Sequence, residues 1–218
     1  MAFCDRNEAA GKETALQTGT SFFHVDVSDQ EALENCMQQI FKEWGDIDII
    51  INNAGISCFS PITETGVEDF DRILSVNLRP VFITSRRLAI HRQSQEAPNP
   101  FGRIVNICST RYLMSEPGSE GYAASKGGVA QITKAFCNEW AEKGINVNSI
   151  APGYMATEMN TALLDPNNPR KEAITNRIPA KRWGTAEDMK GPCVFLASDA
   201  SDYLNGAVIP VDGGYLVR

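Results

Sequence analysis

The stretch IDIIINNAG, residues 47–55, sets four isoleucines almost side by side and ends in two asparagines, an alanine and a glycine. A run so rich in β-branched residues favours a strand that is buried on both faces, as the strands of parallel sheets are. The polar, glycine-containing end that follows predicts a turn at the carboxyl end of that strand. Such strands belong to α/β domains, in which helices cover both faces of the sheet.

The rest of the chain repeats this alternation of short apolar runs with longer amphipathic stretches. Ser28 and Glu31 predict a capping box at the start of one helix, and Pro80 predicts a break inside the next. The order of elements predicts a single α/β domain over residues 1–218, with a doubly wound parallel sheet. Strands are predicted near 1–4 and at 22–25, 47–51, 104–108, 145–150 and 208–211, helices at 28–44, 67–91, 122–142 and 186–197, and loops at 96–102 and 165–172.

Composition narrows the class of protein. The formal net charge is -7 and no basic run offsets it, which argues against nucleic-acid and anionic-membrane partners. The six cysteines lie far apart, and only two histidines occur, so neither a zinc site nor a Ser-His-Asp triad is expected. Free thiols are typical of a reducing compartment, and no apolar run approaches the ~20 residues of a membrane span. We therefore predict a soluble, cytoplasmic protein without a metal, whose partner is a small molecule.

Polar or glycine-rich segments follow several predicted strands at the point where each strand ends. They are Asp26-Val27, Asn52–Gly55, Ser109 and the segment 152–157. In an open parallel sheet, ligands bind beyond the carboxyl ends of the strands, which all lie at one edge. These segments are therefore predicted to lie around one binding site.

The stretch EGYAASKGG, residues 120–128, places Tyr122 four residues before Lys126. Residues i and i+4 share one face of a helix, so the phenol and the ammonium are able to serve one site. An ammonium about 5 Å from a phenol, at an effective dielectric constant near 20, lowers the phenol pKa by about 2.4 units. Ser109 is a candidate to hydrogen-bond the same substrate oxygen, and Asn77 is a candidate to hold Lys126 through a water.

NNAG at 52–55, Ser109 thirteen residues before Tyr122, YAASK at 122–126 and INVNSIAPGYMATEM at 145–159 together resemble the short-chain dehydrogenase/reductase family. The resemblance covers almost the whole chain and implies a Rossmann-like fold. It also implies hydride transfer between NAD or NADP and a secondary alcohol or ketone.

The resemblance assigns roles residue by residue. It makes Tyr122 the acid/base, and it makes Lys126 the residue that lowers the Tyr122 pKa and binds the nicotinamide ribose. It makes Ser109 the residue that orients the carbonyl and Asn77 a member of the proton relay. The cofactor contacts that it implies, besides Tyr122 and Lys126, are Asp5, Asp26, Val27, Asn53, Ala54, Gly55, Pro152, Gly153, Met155 and Thr157.

A glycine-rich turn for the cofactor pyrophosphate is missing from this sequence. Among the 17 glycines, neither Gly-x-Gly-x-x-Gly nor the family's Gly-x-x-x-Gly-x-Gly occurs. The acid that binds the adenosine ribose normally lies about 20 residues beyond that turn, and Asp5 is its candidate. The resemblance therefore implies that the first βα unit, about thirty residues, lies outside this sequence. Asp5 favours NAD over NADP, whereas the adjacent Arg6 is able to pair with a 2′-phosphate.

The missing unit leaves two arrangements of the sheet open. Either the strands near 1–4 and 22–25 have no partner linking them to strand 47–51, or residues 1–4 pair directly with 47–51. Two functions also stay open. One is a reductase or dehydrogenase, and the other is a non-catalytic binding or subunit protein, or an inactive fragment without dinucleotide affinity.

The C-terminal segment, residues 177–218, resembles the branch of the family that oxidises sugar acids. Lipid-like and secondary-metabolite ketones stay open as substrates. Arg111 is a candidate bidentate donor to a substrate carboxylate, and the alternative is an ordinary exposed arginine. Since oligomers are usual in the family, we expect a homodimer or homotetramer through the helices near 67–91 and 122–142.

Overall fold

The computed structural model describes residues 1–95 and 99–218, in which parallel strands alternate with helices. The α/β class predicted from the sequence is confirmed. Strands β1–β6 are Ala2–Asp5, Ser21–His24, Ile49–Asn52, Gly102–Ile107, Ile145–Pro152 and Val208–Val211. Helices α1–α8 are Glu8–Thr18, Gln30–Trp44, Val67–Asn77, Arg79–Gln93, Glu120–Trp140, Thr161–Leu164, Pro169–Arg177 and Ala186–Ala197.

The strands form two separate parallel sheets, one with the order β1-β2 and the other with the order β3-β4-β5-β6. Within the described residues no ladder joins β1 to β3, so the direct pairing of residues 1–4 with 47–51 is wrong. An apolar cluster of Val25, Leu33, Cys36 and Ile83 connects the small sheet to the large one through α2 and α4. Helix packing thus holds the two sheets together without shared backbone hydrogen bonds.

Strands β4 and β5 are buried on both faces, to which neighbouring residues of a strand point in turn. For β3 the prediction of burial on both faces is wrong, because Ile49 and Ile51 are 41% and 45% exposed. Ile104 and Val147 pack against α4 and α5, whereas Val105 and Ile150 pack against Leu196 of α8. All of these side chains are at most 2% exposed. The doubly wound arrangement predicted from the sequence is therefore present over β3 to β6.

A chain of buried polar side chains locks the strands together near the carboxyl edge. Asn52, Asn106 and Ser149 are neighbours in the registers of β3, β4 and β5. The Asn52 amide donates to Asn106 Oδ1 at 2.8 Å, and the Asn106 amide donates to Thr133 Oγ1 of α5 at 3.0 Å. Thr84 of α4 donates to Asn52 Oδ1 at 2.7 Å. Because each group has a partner, the strand ends that carry the site are held in one register.

Two details of the helices around the first half of the chain differ from the prediction. Helix α1 has no apolar stripe, since Gly11 is its buried residue, and the sequence pattern missed it for that reason. A Cβ at Gly11 would collide with the Phe22 ring, so glycine permits the close approach of α1 to β2. The capping box predicted for Ser28 and Glu31 is wrong. Asp29 caps α2 by accepting from Ala32 N at 3.1 Å.

Two further segments can be compared with the prediction. The helix predicted at 67–91 is divided at Leu78, and Pro80 lies in the first turn of α4, where its missing N–H needs no partner. The predicted break is confirmed. The loop predicted at 165–172 is wrong in its second half, because Asn168 caps α7 by accepting from Arg170 N at 2.9 Å. Of the loop predicted at 96–102, residues 96–98 lie outside the described residues.

Candidate active site

Ser109, Tyr122 and Lys126 meet beyond the carboxyl end of β4. Ser109 lies two residues beyond that strand, and the other two lie in the first two turns of α5. Burial raises the pKa of Tyr122, and Ser109 acts in the opposite direction. The Lys126 Nζ lies 5.8 Å from the centre of the Tyr122 ring. The structure thus places these three side chains together.

Lys126 is held in a low-polarity environment. Its residue is 3% exposed, and its Nζ donates to the carbonyl oxygen of Ile107 at 2.7 Å. Burial lowers the pKa of Lys126 to about 8, although the Cys108 thiol acts in the opposite direction. Near neutral pH, Lys126 is therefore able to exchange between its charged and neutral forms, as proton transfer requires.

The pKa of Tyr122 is raised, which differs from the expectation that Lys126 would bring it towards neutrality. Burial is the largest cause, while Ser109 and the charge of Arg111 act to lower the pKa. The reason is desolvation, which penalises the phenolate.

Asn77 ends α3 and is 1% exposed. Its Oδ1 accepts from Ile56 N at 2.8 Å and its Nδ2 donates to Ile56 O at 2.9 Å, so it fixes the loop after β3. The same Nδ2 donates to Ser125 Oγ at 3.1 Å. A Cβ added to Gly55 would lie 3.5 Å from Asn77 Oδ1 and 3.6 Å from Lys126 Nζ. Asn77, Lys126 and the NNAG turn are therefore neighbours.

The segments predicted to contact the adenosine part of the cofactor follow β1, β2 and β3. Asp5 is exposed, and its Oδ1 accepts from Asn7 N at 2.7 Å. Asp26 is exposed, and hydrogen bonds from the Ser28 hydroxyl and backbone lower its pKa. Val27 packs against the cluster that joins the two sheets. Asn53 and Ala54 are exposed at the end of β3.

The segment predicted to contact the nicotinamide follows β5. Pro152 ends the strand, and Gly153 N donates to Val211 O of β6 at 3.0 Å. Met155 pairs with Gly184 in an isolated bridge, which holds the backbone from Tyr154 to Ala156 against the segment before α8. Thr157 is exposed beyond it. The backbone of residues 153–156 is thus held by β6 and by the segment before α8, whereas Thr157 is exposed.

The residues present fit the adenosine and nicotinamide parts of a dinucleotide better than its pyrophosphate. The ends of β2, β3 and β5 offer polar groups for the adenosine and nicotinamide parts at one edge. The pyrophosphate needs backbone N–H groups that a side chain would block, and the 17 glycines of the sequence supply no such turn. Within the described residues, no group of three His, Cys, Asp or Glu side chains is placed to hold a metal ion. The same ranges contain no helix long and apolar enough to cross a membrane.

Sequence reasoning missed three residues around the site, namely Phe59, Glu116 and Tyr154. Phe59, on the loop after β3, lies 6.3 Å from Tyr122 between ring centroids and is 52% exposed. Glu116 accepts from the Tyr154 hydroxyl at 2.7 Å and pairs with Arg111 at 2.9 Å. No periodic pattern marks these positions, because they lie in loops. Arg111 is buried, not exposed, and its Nη2 is occupied by Tyr154 and Glu116, so it is not free as a bidentate donor.

The comparisons with known proteins agree with this geometry. A family model described as enoyl-(acyl carrier protein) reductase matches residues 1–216. The chain belongs to the short-chain dehydrogenase/reductase family, whose members are NAD(P)-dependent oxidoreductases.

Its relatives include enzymes of sugar-acid metabolism. The chain is 42% identical over 204 residues to 2-dehydro-3-deoxy-D-gluconate 5-dehydrogenase of Pseudoalteromonas atlantica, which covers 94% of this chain and 78% of the relative. It is 38% identical to gluconate 5-dehydrogenase of Gluconobacter oxydans, over 98% of this chain and 80% of the relative. A gluconate 5-dehydrogenase from Burkholderia cenocepacia, solved with NADP and tartrate, has a TM-score of 0.90 at 34% identity, and covers 100% of this chain and 85% of that chain.

Proposed function

We propose that the protein interconverts a secondary alcohol and a ketone, with Tyr122 as the acid/base and NAD or NADP as the hydride carrier. The observation that supports this most directly is the meeting of Ser109, Tyr122 and Lys126 beyond β4, beside the turn that Asn77 holds. A protein that only bound a ligand would have no need for a buried lysine beside a tyrosine ring.

The side chains divide the chemistry between them. In ketone reduction the Tyr122 hydroxyl gives its proton to the carbonyl oxygen, and in alcohol oxidation the phenolate takes it back. Ser109 donates to the same oxygen and stabilises the charge that develops on it. Lys126, with a pKa of about 8, replaces the proton on Tyr122. The nicotinamide, when bound, supplies or accepts the hydride.

The substrate that we propose is a sugar acid of the gluconate type. The support comes from the two sugar-acid dehydrogenases among the relatives and from the solved neighbour that was crystallised with tartrate, a hydroxy acid. A steady-state comparison of gluconate and 5-ketogluconate with the uncharged polyol sorbitol tests this proposal. Equal kcat/KM for the acids and the polyol would contradict it.

The catalytic role is tested by replacing Tyr122 with Phe in a preparation shown to bind NAD(P). We expect turnover to fall by at least about 10²-fold, because the exchangeable proton is lost, while the Kd for the cofactor changes little. Tyr203, which is fully exposed, offers the matched control, since Tyr203→Phe alters no contact in the site. Retention of the wild-type rate by Tyr122→Phe would remove Tyr122 from the chemistry.

We also propose that the protein forms a homodimer or homotetramer through α4 and α5. Phe82 of α4 is 49% exposed and lies beside Phe136 of α5, with ring centroids 6.3 Å apart. Light scattering of the wild type and of Phe82→Asp measures the oligomeric state, and an unchanged mass would contradict this surface. A cytoplasmic location is our further proposal, supported by six unpaired cysteines. Cell fractionation tests it.

A further inference from the structure

Phe59 is an exposed aromatic side chain beside Tyr122, the candidate acid/base. The two ring centroids lie 6.3 Å apart, with an angle of 46° between the ring planes. Such a distance is typical of aromatic rings in contact, yet 52% of Phe59 is exposed. A phenylalanine that served only the core would be covered more fully, because its ring is apolar throughout. The uncovered part of the ring is therefore open to contact with a ligand.

The backbone is anchored on both sides of Phe59. Three residues before it, Ile56 N donates to Asn77 Oδ1 at 2.8 Å, and Ile56 O accepts from Asn77 Nδ2 at 2.9 Å. Directly after it, Ser60 N donates to Gly118 O at 3.3 Å. Because the loop is held at both ends, the ring of Phe59 has a defined position instead of moving freely over the surface.

Gly118 permits the second of these anchors. Its φ is +78°, a conformation that favours glycine. A Cβ added to it would lie 2.8 Å from Ser60 O, which is closer than real Cβ contacts allow. The loop after β3 therefore approaches the loop before α5 at a residue without a side chain. Since Tyr122 lies in the first turn of α5, this approach brings Phe59 next to it.

The two cationic side chains of the site are buried and already engaged. Lys126 is 3% exposed, and its Nζ donates to Ile107 O at 2.7 Å. Arg111 is 9% exposed, and its Nη2 pairs with Glu116 at 2.9 Å. An aromatic ring, by contrast, attracts apolar and aromatic groups and offers a carboxylate no hydrogen-bond donor. The exposed side chain beside Tyr122 is therefore suited to an apolar substituent.

We propose that Phe59 is a specificity-determining residue that gives the site a further activity, towards ketones with an aryl or other apolar substituent on the carbonyl carbon. The inference rests on the proposed function of Tyr122 as the acid/base and goes beyond the sugar-acid substrate. The carbonyl oxygen meets the Tyr122 hydroxyl while the substituent packs on the Phe59 ring. The carbonyl carbon takes a hydride, with its electron pair, from NAD(P)H, and the oxygen takes the Tyr122 proton, so that a secondary alcohol and NAD(P)⁺ are formed.

A binding experiment tests the Phe59 contact without turnover. The probe is 4-fluoroacetophenone, an aryl ketone whose ¹⁹F linewidth reports the bound fraction as the protein is titrated. No cofactor is added, because Phe59 and Tyr122 are neighbours in the structure as it stands. We expect Phe59→Ala to raise the Kd of the ketone about five- to tenfold, and Phe59→Leu, which keeps an apolar side chain, to raise it less.

Phe195→Ala is the matched control. Phe195 is 41% exposed on α8, which covers the face of the sheet opposite to α5, so its loss should leave the Kd unchanged. An equal Kd for the wild type and Phe59→Ala would overturn the proposal. A wild type that does not bind the ketone, or an equal weakening by Phe195→Ala, would overturn it as well.

A kinetic experiment separates this inference from the proposed function. In a preparation shown to bind NAD(P), Phe59→Ala should lower kcat/KM for 4-fluoroacetophenone about five- to tenfold relative to kcat/KM for 5-ketogluconate. Turnover of 5-ketogluconate with an unchanged ratio refutes this inference alone. A preparation that reduces neither ketone refutes the proposed function and the further activity together, even where the Kd depends on Phe59.

Discussion

Replacement of Lys126 by Met is expected to stabilise the folded protein at neutral pH while it damages the site. Burial lowers the pKa of Lys126 from 10.5 to about 8, a difference of about 2.5 units. At 1.36 kcal/mol per unit, the folded state is destabilised by about 3 kcal/mol when this lysine is charged. Met has a similar length and no charge, so the variant avoids this cost.

The variant loses the hydrogen bond from Lys126 Nζ to Ile107 O. This loss reduces the gain in the free energy of unfolding by about 1 kcal/mol. The net expectation at pH 7 is a gain of about 2 kcal/mol, or ~4–8 °C in Tm for a domain of this size. The gain depends on pH in a defined direction. Below pH 8 the lysine is charged in both states, and the wild type carries the full cost.

Between pH 8 and 10.5 the folded wild type loses its proton before the unfolded chain does, so the unfolded state binds more protons. The stability of the wild type therefore rises with pH across this window, relative to the variant, by about 3 kcal/mol. Above pH 10.5 the lysine is neutral in both states, and the advantage of Met is gone.

Urea unfolding of the wild type and Lys126→Met at a series of pH values measures the difference, in which the titration of all other groups largely cancels. Lys134, exposed on the same helix, offers the matched control, because Lys134→Met removes no buried charge. A difference that stays constant from pH 7 to 10.5, or a wild type more stable than the variant at pH 7, would refute the reasoning.

Two further predictions concern the cofactor. Asp5 ends β1, and its carboxylate, which accepts from Asn7 N, is expected to repel a 2′-phosphate. In a preparation shown to bind NAD(P), initial rates should therefore favour NAD over NADP, and Asp5→Ser should reduce that preference. A clear NADP preference without the substitution would contradict this. The 218-residue chain by itself should bind either dinucleotide feebly, because its glycines supply no pyrophosphate turn and β1 and β3 share no ladder within the described residues. Calorimetric titration of that chain with NAD and NADP measures this affinity. A micromolar Kd would contradict the prediction and would show that another segment holds the phosphates.

The pattern of apolar residues predicted most of the elements that form the large sheet. Strand β5 was recognisable by the β-branched Ile145, Val147 and Ile150, although it is buried on both faces and carries Asn and Ser between them. Helix α1 was not recognisable in the sequence, because a helix whose buried residue is a glycine has no periodic apolar pattern. Helix α7 was hidden in a segment rich in Pro and Asn, where Asn168 acts as a cap and Pro169 as the first helical residue.

The main residues of the candidate site were predicted from the sequence, because their positions follow from local secondary structure. Tyr122 and Lys126 share a helix face through their i, i+4 spacing, and Ser109 lies just beyond the carboxyl end of β4, so all three reach one edge of the sheet. The electrostatics of that site depend on tertiary structure. The depth of burial decides that the pKa of Lys126 falls and that of Tyr122 rises, and burial is a property of the packed fold. Glu116 and Arg170, 54 residues apart, meet only when helix α7 packs beside the loop before α5, and no sequence spacing specifies such a contact.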